Sequence, residues 1–371
     1  MTSEFIAHKI TGSVKILPTE PIKAVILYVR KLFHYTVKYG KAWKAKQAAF
    51  RILYGDWEES YNRIGMVLGA MAATNRGMYY VVEPQGSDTR TYEGQTVQVF
   101  GRAFWTFEPC IRAFKHCRPV MSVDGTFLTG KFRGTIMVAV GHDAGDRLVP
   151  LAFALVSAEN NDNWEWFLGL VRTKIVGPGK DICIISDHHQ GILHAVEIEI
   201  PGYGRVHHRW CMRHFVSNFY RACGNKELSD ELQDCCLAFT ARHFKKLYDK
   251  IFRLATPWGK EFLTRNLKDR NKWSRAYESQ GMRYGDMTSN MAECFNKVLK
   301  GVRALPVSAI LEYTFIKMIE YFLKWSEVTA KQIAGDNKRN KKFEYPPKID
   351  KWMVYQKRKA DTLEVQEFEN T

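Results

Sequence analysis

Between Pro21 and Gly55 the chain has no acidic residue, although it carries Lys23, Arg30, Lys31, Lys38, Lys41, Lys44, Lys46 and Arg51. It also lacks CxxC spacing: its eight cysteines (Cys110, Cys117, Cys183, Cys211, Cys223, Cys235, Cys236 and Cys294) are scattered. They read as reduced thiols in an intracellular protein. No basic-then-apolar pattern of a signal peptide opens the sequence, and no apolar run approaches the roughly 20 residues that a bilayer-spanning helix needs. No GxSxG element is present, which removes the nucleophile elbow of an α/β-hydrolase. No internal repeat is visible.

What is present is charge and apolar mass. The formal net charge is +16 over 371 residues, and 46% of residues are hydrophobic. The second figure is ordinary for a core-forming protein, and the length allows about two or three structural units. A positive surplus of this size points to a polyanionic partner, because a basic surface attracts phosphate and releases counterions on binding.

Periodicity divides the chain into four parts. Residues 1–20 read as an extended N-terminus. Residues 21–118 read as a basic, mostly helical region suited to DNA. Apolar residues recur there at helical spacing (Val25, Leu27, Val29, Leu32, Phe33; then Trp43, Ala48, Phe50, Leu53), and a strand is expected at Met78–Val82. From Val120 the pattern changes. Runs at 120–127, 134–142 and 148–157 read as strands, 164–175 as a helix, 182–186 as a strand, 191–200 as a helix and 205–210 as a fifth strand. This order implies an α/β core with a mixed five-stranded sheet inside residues 119–325, interrupted by a helical insertion at about 215–285. Residues 326–371, with KRNKK at 338–342, read as a basic, flexible tail.

Asp124 sits in a β-like run ahead of Gly125 and Thr126, and Asp187 follows the strand Ile182–Ser186 directly. A carboxylate among apolar neighbours is costly unless a cation or hydrogen bond satisfies it. Glu293 lies in a helical stretch that Thr288 or Ser289 can cap. Three carboxylates from separate segments suit a hard divalent cation. The local motifs around them form an ordered set: VDGTFLTGKFRGTIMVAVGHDAGDRLVPLAFALVSAENNDNWEWFL at 123–168, IISDHHQGIL at 184–193, HHRWCMRH at 207–214 and RYGDMTSNMAECFNKVLKGVRALPV at 283–307. As a set, these motifs resemble the transposases of plant Mutator-like elements over about residues 118–325.

That resemblance implies a ribonuclease H-like fold with a DDE triad. Asp124, Asp187 and Glu293 would be both the catalytic acids and the ligands of a two-metal site holding Mg²⁺ or Mn²⁺. It implies hydrolysis and strand transfer at terminal inverted repeats. The partners would be double-stranded DNA, both element ends and target, and a second copy of the chain or a higher oligomer. The location would be the nucleus, with no membrane involvement. Cys211 and His214 match the family's C-x-x-H motif, and Asn290 belongs to its TSNxAE motif. A zinc site is not expected, because two separated ligand pairs are missing. His214 is read as hydrogen-bonding near the acids or to DNA, with Cys211 packed. Lys131, Arg133, His188, His214, Lys41, Lys44 and Lys46 are the DNA-contact candidates, with solvated basic faces as the competing account. Two departures matter. His188 and Gln190 stand where the family carries basic residues, and the family's N-terminal and C-terminal zinc modules have no counterpart. They leave an alternative: a truncated or domesticated, catalytically weak DNA-binding regulator of transcription.

Overall fold

The computed structural model describes residues 1–92, 94–278, 281, 283, 285–334 and 345–362. The N-terminal layer is helical from the start: α1 (Ser3–Ile16), α2 (Ile22–Phe33), α3 (Tyr39–Tyr54), α4 (Trp57–Asn62) and α5 (Ile64–Thr74). Residues 1–20 are therefore not extended. Thr2 caps α1 by accepting from the Phe5 amide, and Ile6, Ala7, Ile10 and Val14 form one buried stripe along it. That stripe meets Ala42, Ala45 and Ala49 of α3, whose small side chains let the two helices approach closely.

Two long strands follow, β1 (Tyr79–Tyr92) and β2 (Gln95–Thr106), and then α6 (Glu108–Phe114). They form an antiparallel hairpin where sequence periodicity gave only a short strand. The outer half of β1 (EPQGSDTRTY) is polar on both faces and carries no alternation to read. Its cross-strand support is in part ionic: Glu83 and Arg102 are register partners, with Nε to Oε2 at 2.7 Å.

The remaining strands are β3 (Val120–Phe127), β4 (Thr135–His142), β5 (Leu148–Val156), β6 (Ile182–Ser186) and β7 (Val206–Trp210). The sheet has seven strands, not five, in the order β1-β2-β5-β4-β3-β6-β7, because the hairpin adds to the free edge of β5. The pairings from β1 to β3 across that order are antiparallel; β3-β6 and β6-β7 are parallel, so the sheet is mixed. Strand β4 is buried along its whole length. Its Ile136, Val138 and Val140 point into one apolar core, while Met137 and Ala139 point into another. Both faces of the sheet are thus covered, which explains an apolar run without alternation.

Helices α7 (Asn161–Val171), continued by a π-turn at Arg172–Val176, and α8 (Gln190–Glu197) cover the second face. The region from β7 onward is helical: α9 (Met212–Cys223), α10 (Lys226–Leu237), α11 (Ala241–Leu254), α12 (Pro257–Leu267) and α13 (Arg270–Trp273). These five share their own core, in which Trp273 is fully buried and stacked on Phe215 at 4.6 Å. The chain then returns to the sheet through α14 (Asn290–Val298) and α15 (Val307–Ala334), followed by α16 (Pro347–Ala360). Part of the stretch read as a loose tail is therefore helical. KRNKK at 338–342 lies outside the described residues. No described helix is long and apolar enough to cross a membrane.

Candidate active site

The parallel pairing of β3 and β6 determines where the first two acids lie. Val120 pairs with Cys183, Met121 with Ile184 and Ser122 with Ile185. Every pair is offset by 63 residues, the separation of Asp124 and Asp187. Continued two residues past its last pair, this register brings Asp124, within β3, beside Asp187, which directly follows β6. Their electrostatics agree. Burial first, and the Asp187 charge second, push the Asp124 carboxyl up to about 6. Opposing this, His214 and hydrogen bonds from Gly125 and Asn296 favour the ionised form. The Gly125 amide donates to Oδ1 at 3.0 Å and the Asn296 amide group to Oδ2 at 2.8 Å. Asp187 Oδ1 accepts from the His189 amide at 3.1 Å, a turn that leads into α8.

The third acid arrives on α14, which packs against β3 and β4; its Phe295 meets Phe153 of β5 at 5.5 Å. Ser289 occupies the position before this helix, but its side chain makes no capping bond. Glu293 and Asn296, three residues apart, share a helix face. Asn296 reaches Asp124, while Glu293 Oε2 accepts from Arg213 at 2.7 Å. The same Arg213 nitrogen donates to Asn290 Oδ1 at 3.0 Å. Glu293 Oε1 is shielded from solvent, has no hydrogen-bond partner and lies 3.8 Å from His214 Nε2.

Cys211 joins the acid-bearing segments. Its amide donates to the Ser186 carbonyl at 2.7 Å, next to Asp187, and its sulfur accepts from the Ser289 amide at 3.3 Å, next to α14. Contact with Cys211 raises His214 to about 9, helped by Glu293 and Asp187. His214 Nδ1 is nevertheless buried without an aligned partner, so this contact is closer to a charge pair than to a directed bond. Among the described residues, the one trio of acid, imidazole or thiol ligand atoms within 4.8 Å of one another is Cys211, His214 and Glu293. Asp124, Asp187 and Glu293 are not drawn together that tightly; Glu293 Oε2 is held by Arg213 instead.

The donor chemistry fits a hard divalent cation. Asp124, Asp187 and Glu293 offer oxygen only, Asp124 and Asp187 repel each other, and Glu293 Oε1 is an orphaned acceptor. Three neighbours of this site carried no signal in the sequence. Asn296 and Arg213 reach the acids only through helix geometry. Glu159 lies over Gly125, where any Cβ would come within 2.2 Å of its Oε1. Its pKa is raised by burial, opposed by His189 and supported by Asp187.

The DNA-contact candidates separate. Lys46 is buried and donates to the Glu20 carbonyl, so it is a structural residue. Lys41 and Lys44 are exposed on α3, the former donating to the Met1 carbonyl at 3.2 Å. Lys131 pairs with Glu58 at 2.9 Å, and Arg133 is exposed. His188 rests on Trp210, with ring centroids 4.0 Å apart. Partial desolvation on that side lowers its pKa, although much of its surface stays open.

An α/β chain with a mixed sheet, one aspartate within β3 and a second directly after β6 is thereby defined. Residues 120–218 match the family model of the MULE transposase domain, a segment that includes Asp124, Asp187, Cys211 and His214. No curated protein matches the chain. The match supports a transposase-type function, and with it DNA binding.

Proposed function

We propose that the chain is a DDE transposase that cleaves a phosphodiester at an element's terminal inverted repeat and joins the freed 3′-hydroxyl to target DNA. The observation that carries this reading is the β3–β6 register, whose 63-residue offset is also the separation of Asp124 and Asp187 and, continued two residues, would bring them together. Strands β5-β4-β3-β6-β7, three antiparallel and two added in parallel, support a ribonuclease H-like core. Asp124, Asp187 and Glu293 would hold Mg²⁺ or Mn²⁺. When bound, such ions supply charge stabilisation and an activated attacking oxygen for in-line phosphoryl transfer. The chain's own groups orient this set: Asn296 and the Gly125 amide aim Asp124, the His189 amide aims Asp187, and Arg213 restrains Glu293 until DNA is bound.

The DNA surface in this reading is the acid-free segment. Seven of its eight basic residues (Lys23, Arg30, Lys31, Lys38, Lys41, Lys44 and Arg51) are exposed. They are interleaved with exposed Leu27, Leu32, Tyr35, Tyr39 and Trp43. Nuclear location and a paired assembly that holds two element ends follow from the same reading. A second reading, a DNA-binding regulator with a weakened site, is favoured by one observation: at positions 188 and 190 after Asp187 stand His188, whose pKa is lowered by burial, and uncharged Gln190 in place of permanent cations.

Nicking of supercoiled duplex DNA in Mn²⁺ separates the two. Wild type is expected to nick, and Asp124→Ala and Asp187→Ala to lose at least about a thousandfold in rate, as for removal of a group central to transition-state stabilisation. Equal nicking by wild type and Asp124→Ala would end the catalytic reading. DNA retention by an inactive wild type would support the regulator.

A further inference from the structure

We propose that Cys211, His214 and Glu293 form a binding site for a thiophilic divalent metal, Zn²⁺ above all, and that its occupation withholds Glu293 from the aspartate pair and inhibits the Mg²⁺-supported reaction. The inhibitory half rests on the DDE reading; the binding half does not.

The sequence brings two donors together and the fold brings the third. Cys211 caps α9 and His214 lies in its first turn, three residues on, so both face the same side. Glu293 comes from the first turn of α14, 79 residues later, which is why no paired ligand spacing marks the site in the sequence. The ligand atoms of all three lie within 4.8 Å of one another. Zn–S and Zn–N bonds of about 2.3 and 2.0 Å need the donors only slightly closer. Two of the three have atoms with nothing else to bind: Glu293 Oε1 and His214 Nδ1 are both shielded from solvent without a hydrogen-bond partner. Cys211 is fully buried, and its sulfur accepts from the Ser289 amide, which favours a thiolate over a thiol.

Selectivity follows from donor type. A thiolate and an imidazole favour Zn²⁺ strongly, whereas Mg²⁺ takes oxygen and keeps its water. On binding, the single proton that the Cys211–His214 pair carries leaves to solvent, so that the pair offers the metal a thiolate and a neutral imidazole nitrogen. Arg213 gives up Glu293; its side chain is 52% exposed and free to turn outward. Three protein ligands leave a fourth position for water, the pattern of an accessible site rather than a sealed structural one.

Titration of the full-length chain with Co²⁺, a spectroscopic stand-in for Zn²⁺, tests the binding. A thiolate-to-cobalt charge-transfer band in the near ultraviolet is expected. Zn²⁺ should displace it at stoichiometric amounts, and excess Mg²⁺ should not. Cys211→Ser should abolish the band, and His214→Gln should weaken Co²⁺ affinity by at least about tenfold. Asp187→Asn should leave it intact. Circular dichroism checks that each variant is folded, and His214→Gln serves if Cys211→Ser is not. No band in folded wild type overturns the site; so does an undiminished band in folded Cys211→Ser, which would put the metal on another thiol such as Cys294. Inhibition is read from Mg²⁺-supported nicking: loss with Zn²⁺ in wild type, with sensitivity reduced in His214→Gln. A present band with unimpaired nicking overturns the inhibitory half. Wild type that never nicks ends the DDE reading and the inhibitory half with it, while the band still decides the binding half.

Discussion

Asn296 is a small instance of how a neutral side chain can control an acid. Its amide group donates to Asp124 Oδ2 at 2.8 Å, and its own Oδ1 is buried without a donor. The bond leaves Asp124 one orientation in which Oδ1 accepts from Gly125 and Oδ2 stays fixed. Asn296→Ala is therefore expected to weaken Mn²⁺ binding by about 10- to 100-fold, as for other residues that orient a metal ligand. Calorimetric Mn²⁺ titration checks it; an unchanged affinity would show that Asp124 needs no such restraint. His208 makes a second prediction at this scale, about pH. Ser186 spends its hydroxyl proton on the Asp187 carbonyl, so His208 Nε2 must donate to Ser186 Oγ and Nδ1 carries the lone pair. That Nδ1 is buried with no partner, and a proton there would have neither acceptor nor water. Burial, with the nearby cations Lys272, Arg209 and Arg283, lowers the pKa to about 3. The folded state thus excludes a proton that the unfolded state takes up below its ordinary 6.5. The contribution of neutral His208 is complete above pH 6.5 and is lost as pH falls toward 3, at up to about 1.4 kcal/mol per unit. Urea unfolding between about pH 7 and 5 should show this slope in wild type, and His208→Gln should flatten it.

At the scale of elements, the insertion α9–α13 is held by aromatic packing around one residue. Trp273 has no exposed surface, stacks on Phe215 and donates from Nε1 to the Asn266 carbonyl at 2.9 Å. Trp273→Ala leaves a ring-sized cavity and removes one donor from the Asn266 carbonyl, which keeps the Asp269 amide at 3.2 Å, and should destabilise the chain by about 3–5 kcal/mol. Guanidinium unfolding of the variant measures it; a loss below about 1 kcal/mol would mean that the insertion collapses to fill the space. Which elements could be read beforehand follows from burial. Strands β3 to β6 were legible because their largely apolar runs stand out against their turns, whereas β7 (VHHRW) offers no such run. The β1–β2 hairpin was not, because Glu83, Arg102 and the polar outer residues hold it by pairing rather than by an apolar face. Helix α1 was hidden for a different reason: its stripe of Ile6, Ile10 and Val14 is short and interrupted by Lys9, Thr11, Gly12 and Ser13. Of the candidate site, Asp124 and Asp187 were readable because each closes or crosses a strand. Arg213 and Glu159 were not, since their roles depend on which segments the fold brings together.

At the scale of the whole molecule, a net charge of +16 states that an anion is expected but not where it lands. Lys41, Lys44 and Lys46 show how burial sorts such charge, though the three stand within six residues on one helix. Lys41 and Lys44 face water on α3. Lys46 points inward, where burial lowers its pKa against the opposing pull of Glu20. Only the outward pair is available to phosphate. Joint replacement of Lys41 and Lys44 by Gln should weaken duplex DNA binding at low salt. It should also reduce the slope of log affinity against log salt by about 1 for each phosphate that is no longer neutralised. Lys46→Gln should leave that slope unchanged and instead lower thermal stability, because the Glu20 carbonyl loses its buried donor. Fluorescence anisotropy across a salt series, with a melt of each protein, separates the outcomes. A slope unaffected by the outward pair would move the DNA surface away from the N-terminal helices. The exposed basic residues of α11 (Arg242, Lys246 and Arg253) would then be the next surface to vary, on the far side of β7 in sequence from α3 and attached to the core that carries Trp273.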